Sequence, residues 1–139
     1  MANGKRPLGL TALAIGNFII GAVSAASAFA LYAVVKMANQ VVGAMGAKGD
    51  IPGTGKVYAV LAIAAVATVS LLVAGYGYIK QRKLGRIAGN AYAFLGLLNT
   101  VLALTVLNAK FGFTAVIGIA WPLVTAGLIN TAFRDNLVA

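Results

Sequence analysis

The sequence contains no cysteine, no histidine and no glutamate, and its only acidic residues are Asp50 and Asp135. Without cysteine there is no disulfide framework or thiol redox chemistry, and without both cysteine and histidine a zinc or haem site loses its usual ligands. With only these two acidic residues, paired-carboxylate chemistry inside the membrane is not expected. We therefore predict that the chain is not an enzyme and that it holds no metal or other cofactor.

Charge of either sign is also scarce. Only 9% of the 139 residues are charged, whereas 61% are hydrophobic, and the mean hydropathy is +0.94. Soluble domains usually carry about 25% charged residues, so this chain cannot cover a water-facing surface. The net charge of +9 is typical of a membrane protein with basic loops, and nucleic-acid binding is not needed to explain it.

Four stretches without any charged residue divide the chain, and each is at least 23 residues long. A bilayer core requires about 20 helical residues to cross it. A transmembrane β-barrel would require alternating polar and apolar residues, which the run Ala-Ile-Ala-Ala-Val-Ala at 62–67 does not show. The sequence predicts an all-α, polytopic membrane protein, a single four-transmembrane-helix bundle over 1–139 with helices at about 8–35, 57–79, 87–108 and 112–133.

The loops of this bundle differ in composition and charge. The first, at about 37–56, is rich in glycine and is predicted to lie outside the cell. Basic residues are more numerous at the two termini and the second loop than at the other two loops. Because cytoplasmic segments carry the excess of lysine and arginine, we expect both termini in the cytoplasm, with the chain integral to a prokaryotic inner membrane.

The second loop carries a cluster of four basic residues. They are candidates for binding anionic lipid headgroups, although a role in fixing the topology alone would also explain them. The cluster consists of Lys80, Arg82, Lys83 and Arg86.

Two similar segments precede the first and third predicted helices. Residues 6–9 read Arg-Pro-Leu-Gly and residues 82–85 read Arg-Lys-Leu-Gly, and Phe18 matches Phe94 at the same offset. The match is consistent with two repeated helical hairpins related by an axis along the membrane normal. The alternative is that basic residues and glycine commonly begin membrane helices.

The Arg-Pro-x-Gly start at 6–9, the central basic loop at 80–86 and the C-terminal Asn130 followed by Phe133-Arg134 form a recognisable layout. It resembles that of small prokaryotic four-helix integral membrane proteins of unknown function. The resemblance implies a polytopic membrane protein and brings no activity with it. The glycine-rich first loop is longer than is typical of that group.

Small residues recur on one face of the third predicted helix and on one face of the second. Small faces let helix backbones approach closely, and close packing drives helix association in lipid. These faces are candidates for packing within the bundle or for an interface with another subunit. They comprise Gly85, Gly89, Ala93 and Gly96 on the third helix, and Ala67, Ser70 and Ala74 on the second.

Three of the asparagines within the predicted spans, Asn17, Asn99 and Asn130, are candidates for polar links between helices. An unpaired amide in the bilayer is costly, so each is expected to form a hydrogen bond to another helix. In the fourth span, Trp121 precedes Pro122 near the bilayer midplane. Tryptophan more often lies at the membrane interface, so Trp121 is a candidate for contact with a partner helix, a pigment or a lipid, or for ordinary core packing.

Tyrosines lie near the predicted ends of the spans. Tyr32 and Tyr58 would lie at one membrane boundary, with Tyr76, Tyr78 and Tyr92 at the other. Tyrosine is enriched at both membrane–water interfaces, so we interpret these residues as aromatic belts.

The absence of catalytic groups, the small-residue faces and the lack of a large exposed segment favour one function. They predict a non-enzymatic, structural or accessory subunit of a larger membrane protein complex, in contact with membrane lipids and other integral membrane subunits. The alternative is a small homo-oligomeric channel or transporter, with a pore lined by Asn17, Asn99, Thr100 or Asn130. Small multidrug exporters also have four helices, but they depend on a membrane-embedded glutamate, which this sequence lacks.

Overall fold

The computed structural model describes residues 5–138, and every regular element in that range is helical. Four helices are long and apolar enough to cross a membrane, which confirms the predicted all-α, four-helix membrane fold. A short 3-10 helix, Arg134–Asn136, follows them. The four long helices are α1 (Leu8–Ala44), α2 (Thr54–Ile79), α3 (Lys83–Thr105) and α4 (Phe113–Asn130).

Consecutive helices pack side by side as antiparallel hairpins, α1 on α2, α2 on α3 and α3 on α4. The start of α1, the α2–α3 turn and the end of α4 lie together, and we call this the terminal end of the bundle. The segments 45–53 and 106–112 lie at the opposite end, called the loop end. The ring of Phe133 reaches Gly9 at the terminal end, where it brings the last part of the chain against the first helix.

The first helix is nine residues longer than predicted, and the glycine-rich loop is correspondingly shorter. Lys36, used to mark the end of the span, is an ordinary helical residue. The helix ends where Gly46 adopts a left-handed φ of 89°. The amides of Gly46 and Ala47 then donate to the carbonyls of Gly43 and Val42, a Schellman arrangement that glycine favours.

The third helix begins at Lys83, four residues before its predicted start, because Lys83 and Arg86 lie in its first turn rather than in a loop. The preceding α2–α3 turn is another Schellman arrangement. Its left-handed residue is Gln81, with φ 51°, and the Arg82 amide donates to the Gly77 carbonyl at 2.9 Å. The sharp reversal brings the backbones of Gly77 and Gly85 into direct contact.

The remaining part of the glycine-rich loop is fixed to α1 by one side chain. Asn39 Oδ1 accepts from the Ile51 amide at 2.8 Å, and Asn39 Nδ2 donates to Thr54 Oγ1 at 3.2 Å. The Thr54 hydroxyl in turn donates to the Ile51 carbonyl at 2.7 Å. These bonds hold 51–54 against the last turns of α1.

The core lies at the terminal end. Side chains from all four helices and the last segment pack there around Tyr78, which is completely buried. Its fully buried apolar members are Leu10, Ala14, Ala74, Ile129 and Leu137. The loop-end half of the bundle is packed much less tightly, and residues 22–44 of α1 include no buried residue.

Candidate functional site

The predicted small face of α3 lies inside the bundle. Gly85, Gly89 and Ala93 are buried. A Cβ atom on Gly85 would meet the backbone of Gly77 and the ring of Tyr78, and one on Gly89 would meet the Tyr78 hydroxyl and Ile129. In the described part of the chain this face is therefore taken up by α2 and α4.

The predicted residues of α2 divide between two environments. Ala67 and Ala74 are buried, Ala74 in the core around Tyr78 and Ala67 in a smaller cluster with Leu71 and Tyr92. Ser70 is half-buried, and its hydroxyl donates to the Val66 carbonyl of its own helix at 2.9 Å. Ser70 therefore makes no polar link to another described helix.

Trp121 and Asn17 join α4 to α1. The indole Nε1 of Trp121 donates to Asn17 Oδ1 at 3.0 Å, and Asn17 Nδ2 lies 3.4 Å from the Leu71 carbonyl of α2. The ring of Trp121 lies against Gly16, where a Cβ atom would come within 2.5 Å of its Cη2. Trp121 thus packs within its own chain, against the backbone of α1 at Gly16, where any side chain would collide with its ring.

Asn130 forms the second polar link between helices. Its Nδ2 donates to Asn90 Oδ1 at 2.6 Å and to the Ala126 carbonyl at 2.8 Å. Its Oδ1 accepts from Arg86 Nε at 3.1 Å and from Asn90 Nδ2 at 3.3 Å. Arg86 is consequently tied to the end of α4, whereas Lys80, Arg82 and Lys83 are exposed.

Gly96 and Thr100 make a close α3–α4 contact. A Cβ atom on Gly96 would lie 3.1 Å from the Pro122 ring, and the Thr100 hydroxyl lies 3.2 Å from the Gly118 carbonyl. That carbonyl is four residues before Pro122, whose nitrogen has no hydrogen to donate to it. The Thr100 hydroxyl of the neighbouring helix lies within hydrogen-bond distance of this carbonyl and, at 3.0 Å, of the Gly96 carbonyl of its own helix, and its one hydrogen serves these two acceptors.

Asn99 is the exception among the three asparagines. Its Oδ1 is buried and finds no hydrogen-bond partner among the described residues, so the expected bond to another helix is not formed. Asn99 instead lies in the wall of a cavity in the loop-end half of the bundle.

This cavity has a volume of about 730 Å³. All four helices contribute to its wall, which is mainly apolar, and exposed residues of α1 and α4 form its rim. It therefore opens between the first and the last helix, on the side that faces lipid. Its wall includes Val23, Ala28, Ala64, Asn99, Lys110 and Phe113.

Two residues that the sequence placed in an aromatic belt are core residues. Tyr78 and Tyr92 are 0% and 7% exposed, because glycines on α3 leave room for the ring of Tyr78 and Tyr92 packs beside Leu71. At the loop end, Tyr32 and Tyr58 do pair, with ring centroids 6.0 Å apart.

Four apolar helices with polar side chains paired between them define this chain as a polytopic α-helical membrane protein. The chain matches no known protein-family model, and neither a curated protein nor a solved structure has significant similarity to it. The resemblance to small prokaryotic four-helix membrane proteins therefore stays a prediction, as does the repeated hairpin.

Proposed function

We propose that the chain is a non-enzymatic, structural or accessory subunit of a larger integral membrane assembly. The observation that carries the proposal is the loop-end half of α1, in which no residue from 22 to 44 is buried. In a chain that spans a membrane, the side of this helix half that does not pack on α2 faces either lipid or another protein. The absence of cysteine, histidine and glutamate supports a role without catalysis.

One side of this helix half is suited to contact with another helix. Ala22, Ala26 and Ala30 are exposed and recur every four residues, which places them in one row along the helix. Rows of small residues let a second transmembrane helix approach closely, and the association then gains from packing rather than from a hydrophobic driving force. The proposed occupant is an apolar helix of another subunit.

The proposal includes the location of the chain. We place it in a prokaryotic inner membrane with both termini in the cytoplasm and the loop end outside. The basic residues support this orientation, because those exposed at the terminal end include Arg6, Lys80, Arg82 and Lys83.

Site-specific crosslinking from this row of alanines tests the proposal. The chain has no cysteine, so Ala26→Cys provides one attachment point for a photoreactive maleimide in native membranes. We expect a crosslink to a different membrane protein, which mass spectrometry would identify. Ala120→Cys, on the exposed side of α4, is the matched control and should give no such product.

The other outcomes of this experiment decide between the alternatives. A crosslink from position 26 only to a second copy of the chain would favour the homo-oligomeric channel or transporter. Crosslinks only to lipid, equal at positions 26 and 120, would exclude the loop-end half of α1 as a subunit interface.

A further inference from the structure

The cavity between the four helices has no assigned occupant, and its surroundings limit what can fill it. A space of about 730 Å³ is within the range of ligand pockets, which is about 300–1,000 Å³. Water is a poor filler, because each buried molecule needs about 2–4 polar partners and this wall is mainly apolar.

The position of the opening indicates where the occupant comes from. Exposed side chains of α1, such as Val23 and Leu31, and exposed Phe113 of α4 line the cavity. In the terminal half, the Asn17–Trp121 bond closes the same gap between the two helices. The cavity is therefore open to the bilayer on one side and closed toward the terminal end. The hydrocarbon chains of the surrounding lipids have direct access to it.

The charge at the rim indicates the headgroup. Lys110 is the single charged residue among those that line the cavity, and it is exposed in the short α3–α4 connection. Lysine at a membrane boundary attracts the phosphate of an anionic lipid. No carboxylate lies in the wall to compete for this ammonium group.

We propose that the cavity is a binding site for one acyl chain of an anionic phospholipid, whose phosphate pairs with Lys110. The chain enters between α1 and α4 from the loop end. Its far end reaches Ala67, Leu71 and Tyr92, which line the cavity and pack against Trp121. This inference does not rest on the proposed subunit role.

Trp121 is the sole tryptophan, which makes occupancy measurable. Bromine on a lipid chain quenches an indole that it approaches closely. The protein is reconstituted in phosphatidylcholine vesicles doped with phosphatidylglycerol brominated near the chain ends. We expect strong quenching in the wild type, and weaker quenching when the same bromines are carried by phosphatidylcholine.

Matched variants separate the cavity from the bulk bilayer. Ala64→Phe places a ring in the cavity, whereas Ala65→Phe places the same ring on the exposed side of α2. We expect Ala64→Phe to lose the quenching and Ala65→Phe to keep it. Lys110→Gln should abolish the preference for phosphatidylglycerol, and Lys48→Gln, in the other loop-end segment, should preserve it.

Several results would overturn the inference. Equal quenching in both phenylalanine variants would mean that Trp121 senses bulk lipid, and equal quenching by both lipids in the wild type would remove the role of Lys110. Native mass spectrometry from mild detergent provides a second readout, in which a retained phosphatidylglycerol is lost from Ala64→Phe but not from Ala65→Phe. If Ala64→Phe fails to fold, Ala103→Phe on the α3 wall replaces it, with the same expected loss.

Discussion

Asn17 connects three helices through one amide group. Its side chain is completely buried, accepts from the Trp121 indole and lies within reach of the Leu71 carbonyl. In a membrane the indole N–H has no water to replace this partner, although neighbouring polar groups can compensate in the unfolded state. Asn17 therefore contributes to holding α1 against α4.

Replacing this amide should destabilise the bundle measurably. We expect Asn17→Leu to lower the free energy of unfolding by about 0.6–2 kcal/mol, because Trp121 loses its acceptor. Unfolding by sodium dodecyl sulfate in mixed micelles, followed by the fluorescence of Trp121, measures the change. Thr105→Val is the control, because the Thr105 hydroxyl bonds only to Val101 of its own helix. Equal losses in the two variants would show that the Asn17–Trp121 bond contributes little.

The glycine at position 16 is predicted to be intolerant of even a methyl group. In Gly16→Ala the new Cβ would lie 2.5 Å from Cη2 of Trp121, so the indole must shift, at a cost of about 1–3 kcal/mol. A Cβ atom added to Gly127 on α4 would have no neighbouring atom within 4 Å. Gly127→Ala should be neutral or stabilise the helix by up to about 1 kcal/mol. The same unfolding assay distinguishes them, and matching effects would contradict the packing of Trp121 on α1.

At the scale of whole helices, α4 depends on its neighbour to accommodate Pro122. Pro122 removes the N–H donor four residues after the Gly118 carbonyl, and the Thr100 hydroxyl of α3 lies 3.2 Å from this carbonyl and 3.0 Å from that of Gly96. We expect Thr100→Val to lower the free energy of unfolding by about 1 kcal/mol, and Thr100→Ser to have little effect.

A second substitution, at Pro122, tests why Thr100→Val lowers the free energy of unfolding. In the Pro122→Ala background the new N–H of residue 122 can pair with Gly118, so Thr100→Val should then cost less than in the wild type. A double-mutant cycle in the unfolding assay measures the difference. Strict additivity of the two substitutions would mean that Thr100 acts through packing and not through the Gly118 carbonyl.

The number of helices could be predicted from the sequence, whereas their ends could not be placed well. Long charge-free stretches identify membrane spans directly. However, Lys36, Lys83 and Arg86 were taken as boundaries, although basic side chains fit within helix ends because their long stems reach the interface. The actual ends depend on local backbone geometry, such as the left-handed Gly46.

The contacts between helices were partly predictable. Asn17 and Asn130 were expected to bond to other helices, and both do so. The residue to which each asparagine would bond could not be predicted, since Asn17 and Trp121, for example, are 104 residues apart in sequence. No pattern in the sequence indicated that Thr100 lies beside the Gly118 carbonyl. The cavity was missed for the same reason, because it is formed by residues from all four helices.

For the whole molecule, the distribution of basic residues predicts its orientation. Thr131→Cys reports on the terminal end and Ala47→Cys on the loop end, and neither changes the charge of these exposed positions. If both termini are cytoplasmic, a membrane-impermeant maleimide should label position 47 in intact spheroplasts and position 131 only after permeabilisation. The reverse pattern would contradict the proposed orientation.

The unequal lengths of the helices bear on the bilayer itself. At about 1.5 Å per residue, the 37 residues of α1 extend roughly 55 Å, and the 18 residues of α4 roughly 27 Å. A hydrocarbon core is about 30 Å thick and helix tilt rarely exceeds about 40°, so α1 must emerge into water while α4 barely crosses. The hydrophobic mismatch therefore differs between the two helices: the bilayer must thin beside α4 but not beside α1. A thicker membrane would strain the α4 side first, and the chain should partition into thin membrane regions in preference to thick ones.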